Sequence, residues 1–356
     1  MRDVAYRAPG NDQVILGLER TLERARLGAI RAATVIICEH MSTEAAYFGD
    51  ENARININFG IDMLKRAIMD DVARTGNKDA PANQVLYDFN KDPISFDFIP
   101  WLATAEMARR REGASAPLNV SFVAKPPSIM TPHDNNPFID SVIRPAVTLF
   151  GAVENTESQK VRHPFFVGLR DVGRAHANGE EVPQLVIPQE AAAVMRTSLQ
   201  GRNPVTITLR ESERHPQRNS NLDEWYKFAM WLCESGEDVV FVRDTAMAHE
   251  TIPGFAICPE ASTHLHTRAA LYTQAKCNCF VANGPFALAI HTQVPWLLFA
   301  SVGADDPEEC HKPENWHMVM PTNGEGQLPW ATARQRVIYE PDKFEAMRAA
   351  YEALYL

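Results

Sequence analysis

Long apolar runs are missing from this chain. The longest, Val294 to Ala304, is too short to cross a bilayer, and the opening MRDVAYRAPGNDQ lacks the apolar stretch of a secretion signal. The expectation is therefore a soluble, cytoplasmic protein with no transmembrane segment. Cysteine is scarce: Cys38, Cys233, Cys258, Cys277, Cys279 and Cys310 are scattered through 356 residues, which fits free thiols in a reducing compartment better than a disulfide scaffold. A basic excess is absent as well. With 35 Lys+Arg against 45 Asp+Glu the formal charge is -10, and no basic stripe offers itself to a phosphate backbone, so nucleic acid is not expected as a partner. Neither a short-period repeat nor a low-complexity tract interrupts the chain.

What is present is the alternation of short apolar runs with amphipathic stretches. At 356 residues the chain exceeds the size at which one core keeps growing, which predicts two domains. After a basic amphipathic helix at Gln13 to Ala32, Thr34 to Cys38 has the continuous apolar character of a strand buried on both faces, and Phe59 to Arg74 has a helical pattern. Gln84 to Phe89 and Leu118 to Val123 read as strands on either side of a helix, Phe96 to Arg111. Strand, helix, strand at this spacing makes a parallel sheet with helices on its faces. Lys125 to about Pro164, rich in Pro, Asn and Asp, reads as a long loop or lid. The apolar Val182 to Pro188 precedes a short helix at Gln189 to Ser198, and Gly201-Arg-Asn-Pro204 reads as a linker. The expected division is residues 1–200, 203–340, and a terminal helix over 341–356.

The second half repeats the pattern. Strands are expected at Val205 to Leu209, Asp238 to Val242, Cys277 to Val281 and Pro295 to Phe299. The expected helices are Asn221 to Glu234, closed by Gly236, then Thr263 to Ala275 and Phe286 to Thr292. In an open parallel sheet, ligands bind beyond the carboxyl ends of the strands, so the loops after Leu209, Val242 and Val281 are the places to look. The first of these carries Arg210, Arg214 and Arg218, three arginines in nine positions, beside a helix start at Ser220 or Asn221. Forked guanidinium donors and the free N–H groups of a helix start both suit phosphate, the reading the switch-point position favours over simple pairing with Glu211 and Glu213. The second loop brings Arg243. The third is Asn283-Gly284-Pro285, where glycine admits a ligand to the backbone and proline is tolerated in a first helical turn.

These features together, over roughly residues 203–300, resemble the carboxyl-terminal domain of GT-B glycosyltransferases, in particular the heptosyltransferase-like group. The resemblance rests on the strand ending in the charged loop Thr206 to Arg218, on Asn221 to Gly236, on Val239 to Asp244, and on the order of elements from Leu271 to Phe299. It implies an α/β fold of two Rossmann-like parallel-sheet domains facing a central cleft, and a transferase that takes a nucleotide-sugar donor and a glycan or other hydroxyl acceptor. It also implies a diphosphate at Asn283, Gly284 and Pro285, with Arg210 and Arg218 beside it. The His that heptosyltransferases often carry shortly after the turn is lacking. So is a glycine-rich first loop in the first domain. A sugar-nucleotide epimerase or hydrolase of the same fold, or a non-catalytic binding module, are the alternatives.

Inverting transfer needs a base for the acceptor hydroxyl. Asp92 and Asp97, at or beyond the end of a first-domain strand with Asp88, are the candidates, with Ser95 or Asp97 also suited to capping the next helix. His133 and Asp134 in the Pro-rich loop form a second pair, for which a solvated loop is the simpler reading. No metal or other cofactor is expected. Cys277-x-Cys279 lacks common zinc spacing and places two small side chains on one strand face, while His264 and His266 do not face each other on a helix.

Overall fold

The computed structural model describes residues 80–90, 92–123, 136–155, 169–213, 215–300, 316, 320–323 and 325–355. The chain divides into two compact units, Met1–Ala80 with Arg162–Phe165, and Pro81–Val161 with Phe166–Leu356. All that follows concerns the second. The elements expected at Gln13 to Ala32, Thr34 to Cys38 and Phe59 to Arg74 lie outside the described residues. Within the second unit the structure is α/β with two parallel sheets, and no described helix is long and apolar enough to cross a membrane.

The smaller sheet has the order β1-β2-β3, formed by Gln84–Asp88, Asn119–Val123 and Val153–Glu154, all parallel. The crossover from β1 to β2 is α1, Phe98–Arg111, whose Phe98, Ile99, Trp101, Leu102 and Met107 are buried. Tyr87 of β1 meets Phe98 and Trp101 edge-on at 4.7 and 5.0 Å, the arrangement that ring quadrupoles favour.

The expected lid is partly regular structure. Residues 136–149 are helical, passing through a π-helical turn at Ile139–Ile143 into α2, Arg144–Leu149. Val142, Ile143, Ala146, Val147 and Leu149 fall at helical spacing and are buried, and this apolar periodicity outweighs the Pro and Asn content. A further helix, α3, covers Leu169–Ala177, and α4 covers Gln189–Leu199. Between them Val182 to Pro188 is extended without joining a sheet. Its backbone is satisfied by Leu185 N–H to the His291 carbonyl at 2.9 Å and Val186 N–H to the Leu149 carbonyl at 2.7 Å.

The larger sheet has six strands in the order β6-β5-β4-β7-β8-β9, all parallel. In chain order they are Val205–Thr208, Val239–Val242, Ala256–Ile257, Cys277–Val281, Trp296–Phe299 and Gln335–Ile338. Renumbered from β4, the order is 3-2-1-4-5-6, the doubly wound arrangement of dinucleotide-binding folds. Helices α5 (Leu222–Glu234) and α9 (Phe344–Tyr355) share one core with it: Trp225, Phe228, Leu232, Met347 and Tyr351 pack with Val205, Ile207, Cys277, Cys279 and Phe299. Cys277 and Cys279 are thus core thiols, as expected. Residues of α7 (Leu265–Gln274) join Phe280, Trp296 and Leu298 in a second core that also contains Val85 and Tyr87 of β1 and Val120 of β2. Every residue of β4, β7 and β8 is buried, which explains why β8 is apolar throughout and why the Thr and Asn of β4 and β7 need partners inside the core.

Polar side chains pin the register where β4 meets β7. Thr206 donates to Asn278 Oδ1 at 2.6 Å, Asn278 Nδ2 donates to the Tyr272 carbonyl at 3.0 Å, and Thr208 and Tyr272 hydroxyls lie 2.8 Å apart, all buried. Helix α5 ends as expected at Gly236, φ +87, whose N–H reaches the Cys233 carbonyl while Glu237 N–H reaches Leu232. Its start is clasped to that of α9. Asp342 Oδ2 accepts from Asn221 N–H at 2.8 Å and Trp225 Nε1 at 2.7 Å, and Glu224 Oε2 accepts from Phe344 N–H at 2.8 Å.

One buried imidazole predicts that this fold loses stability in acid. His291 is fully buried, its Nδ1 bonded to the Pro183 carbonyl at 2.9 Å, its Nε2 without a partner among the described residues and its ring edge-on to Phe150 at 5.1 Å. Burial pulls its pKa down from 6.5 to about 4. Neutral His291 stabilises the fold above pH 6.5. As pH falls from there towards 4, the unfolded chain takes up a proton that the folded chain refuses, so stability drops by about 3 kcal/mol across that window. Urea midpoints at pH 7 and pH 4.5 should differ accordingly, and His291→Phe should flatten the slope. An unchanged slope in that variant would assign the acid sensitivity elsewhere.

Candidate functional site

In the order 3-2-1-4-5-6 the strand sequence reverses between β4 and β7, and the crevice beyond their carboxyl ends is where such sheets bind ligands. The loop after β4 is closed on itself. Ser220 Oγ accepts from Arg210 N–H at 2.9 Å, Ser220 N–H returns to the Arg210 carbonyl at 2.9 Å, and Asn219 ties Arg210 Nη1 and the Ser212 backbone. Arg210 is half-buried and also reaches the His215 carbonyl at 3.4 Å. Arg218 crosses the crevice: its Nη2 donates to the Ala282 carbonyl at 3.2 Å, directly before the Asn283-Gly284-Pro285 turn. The structure therefore brings the arginine loop and the turn together, while Arg214, His133 and Asp134 lie outside the described residues.

Arg243, expected to face a ligand, is turned inward. It is 7% exposed, its Nε and Nη2 grip both carboxylate oxygens of Glu211, and its Nη1 donates to the Glu250 carbonyl at 2.8 Å. The Glu211 hydrogen bond raises the guanidinium pKa further. Glu211 N–H in turn donates to an Asp244 carboxylate oxygen at 2.5 Å, so the ends of β4 and β5 are riveted together. Of the two surface carboxylates weighed as alternatives to phosphate, Glu211 does bind an arginine, but this one.

The helix start beside the arginine loop also differs from expectation. The Asn221 N–H is already met by the Asp342 carboxylate. After the turn, α8 spans only Phe286–Ala289, shorter than the expected run to Thr292, and too short to gather a substantial helix dipole. Asn283 Oδ1 accepts from Phe286 N–H at 3.3 Å, whereas its buried Nδ2 has no partner among the described residues. Gly284 is required for space rather than for a left-handed φ. A Cβ there would lie 2.5 Å from the Phe96 ring, which comes from the loop after β1.

Phe96 thus brings the loop after β1 against the turn, and the candidates Asp92 and Asp97 belong to that loop. Asp92 Oδ2 accepts from Asp88 N–H at 2.8 Å and Asp92 N–H reaches the Asp88 carbonyl at 2.7 Å, a tight turn at the end of β1. Asp97 is exposed at the start of α1 and makes no side-chain cap; Ser95 Oγ donates to its Oδ2 at 2.7 Å and accepts from its N–H at 3.1 Å. Burial first, then Asp92 and Asp97, keep the neighbouring Tyr87 hydroxyl protonated, and it donates to the Pro93 carbonyl at 2.5 Å.

Three participants were missed from sequence: Glu211 as the Arg243 partner, Phe96, and Arg268 of α7, which is 5% exposed with its guanidinium 5.9 Å above the Phe96 ring. Arg268 had a legible signal, since it stands at helical spacing with Leu265, Leu271 and Tyr272 on the apolar face of α7. His266, by contrast, bridges to the Pro145 carbonyl and Thr148, and His264 to Thr263. No group of three His, Cys, Asp or Glu side chains suited to a metal gathers among the described residues.

No protein-family model and no curated protein matches the chain. Among solved structures it is similar to the E. coli ADP-heptose LPS heptosyltransferase II, at 11% identity over 76% of this chain and 98% of that one, with a TM-score of 0.44. It is similar to a glycosyl transferase family 9 protein of Veillonella parvula at 10% identity, over 76% and 97% of the two chains, TM-score 0.43. The wall teichoic acid polymerase TagF is similar at 10% identity over 90% and 92%, TM-score 0.32. The solved structures the chain is similar to therefore include members of the group its sequence resembles.

Proposed function

We propose that this protein is a glycosyltransferase that holds a nucleotide-sugar donor at the β4–β7 switch point and passes the sugar to a hydroxyl acceptor on the side of the β1 loop. The observation that carries this reading is Arg218 bonded to the Ala282 carbonyl, which sets a guanidinium beside the turn at the one crevice where the strand order reverses. The Ala282 bond draws that guanidinium to the turn, where a forked cationic group suits the donor diphosphate. Arg210, held by Asn219, supplies a second positive charge from the same loop. Arg243 acts through Glu211 as the brace of that loop. Asp97, on the opposite lip, takes the acceptor proton.

The test is isothermal titration of the full chain with a panel of nucleotides and nucleotide sugars, followed by product analysis with and without acceptors. Arg218→Ala should weaken nucleotide binding by about 10- to 100-fold, since a charge-assisted hydrogen bond contributes roughly 1.5–3 kcal/mol. Lysine should restore only part of this, because a point charge lacks the fork. No binding of any panel member at millimolar concentration would sink the reading, and donor turnover at full rate without acceptor would replace transfer by hydrolysis or epimerisation.

A further inference from the structure

Among the described residues, Arg268 is a buried cation without a carboxylate partner. Only 5% of it is exposed, and its hydrogen bonds run from Nε to the Ala261 carbonyl at 2.5 Å and from Nη2 to the Ser262 carbonyl at 3.1 Å. These carbonyls belong to α6, Pro259–Thr263, and Ser262 O is already shared with the Thr245 hydroxyl at 3.1 Å. Neutral dipoles orient a guanidinium but do not neutralise it, and an arginine does not escape burial by losing its proton. Among the described residues no carboxylate pairs with it, and Nη1 makes no hydrogen bond.

The position of this charge is not arbitrary. Its guanidinium lies over one side of the Phe96 ring system, and the same ring lies against Gly284. The residue before Gly284 is Asn283, whose buried Nδ2 also lacks an acceptor among the described residues. A full charge therefore stands over the ring that packs against the turn after β7, and the residue before that glycine carries a second donor in need of an acceptor. A charge buried with only neutral partners is strongly unfavourable, and an anion with several acceptor oxygens bound at this turn would supply the missing counter-charge.

We infer that Arg268 is an oxyanion-binding residue of this site, taking a phosphate group together with Asn283 on the Phe96 side of the turn. This deepens the donor-site reading and rests on it for the identity of the ligand as a nucleotide diphosphate; the demand for an oxyanion comes from the two side chains themselves. Arg218 would then hold the phosphates from the arginine-loop side and Arg268 from the α7 side.

The experiment is titration of the full chain and its Arg268→Gln and Arg268→Lys variants with inorganic pyrophosphate, ADP and adenosine. The parent should bind pyrophosphate, the Gln variant about 10- to 100-fold more weakly, and the Lys variant between the two. Adenosine affinity should be the same in all three. Should the Gln variant fail to fold, the Lys variant, which keeps the charge, carries the test, and parity with the parent then overturns the inference. Pyrophosphate binding that ignores Arg268→Gln overturns it also, and so does a parent that binds no pyrophosphate. The underlying reading fails separately: Arg268-dependent pyrophosphate binding with ADP no tighter than pyrophosphate would keep the oxyanion site and remove the nucleotide.

Discussion

Arg243→Ala is expected to destabilise the protein by about 3–5 kcal/mol, the range found when one partner of a buried ion pair is removed and the other is left uncompensated. The pair qualifies as buried, with side chains 7% and 9% exposed, and three of its hydrogen bonds disappear together. Glu211→Leu combined with Arg243→Leu should recover much of the loss, since an apolar pair of similar volume asks for no compensation. Urea unfolding followed by tryptophan fluorescence gives both values. A single-variant loss under about 1 kcal/mol would mean that the pair is solvated in solution. Because Glu211 N–H is also tied to Asp244, loosening the pair should reduce nucleotide affinity even though Arg243 itself points away from the crevice.

The second large effect is on turnover. Asp97→Asn should lower the rate of sugar transfer by about 10²- to 10⁴-fold, the usual contribution of a general base, while donor affinity stays within about twofold. Asn is isosteric and can still accept from the Ser95 hydroxyl, so the fold should be unaffected. Asp92→Asn is the control. Its carboxylate is engaged with the Asp88 N–H in the turn after β1, and its loss should act on stability before turnover. A rate that falls for Asp92→Asn and not for Asp97→Asn would exchange the two roles, and a rate unmoved by either would remove the loop after β1 from catalysis.

The longer strands were legible because each is a short segment rich in apolar and β-branched residues between turn signals: β1, β2, β4, β5, β7 and β8 all stand where such segments do. The edges were not. Val153–Glu154 and Ala256–Ile257 pair over two residues each, too few for any periodicity, and Gln335–Ile338 carries Gln and Arg in a strand whose apolar content is confined to Val337 and Ile338. Gln335 looks like a surface residue, yet it is buried with Nε2 donating to the Thr292 and Val294 carbonyls. At the site, the arginine loop and the Asn-Gly-Pro turn could be found because their chemistry is local. Partners distant in sequence could not. Nothing in the order of residues says that Asp342 meets the start of α5, that Glu211 takes Arg243 rather than a nearer arginine, or that Phe96 needs the missing side chain of Gly284. These pairings arise from the crossing of strands, and a one-dimensional pattern does not contain them.

The late position of β9 and α9 bears on how the chain can be synthesised. Translation delivers β4, α5, β5, β7 and β8 in turn, but Met347 and Tyr351, which close the core over Trp225 and Phe299, arrive only with α9. A ribosome-bound chain that has reached Phe299 therefore shows solvent an oily face around Trp225, Phe228 and Leu232. It also leaves the edge of β8 unpaired until Gln335–Ile338 appears. Over that interval the nascent protein is a natural client for chaperones, and a pause or premature stop within it would hand the quality-control machinery a sticky half-sheet rather than a folded domain.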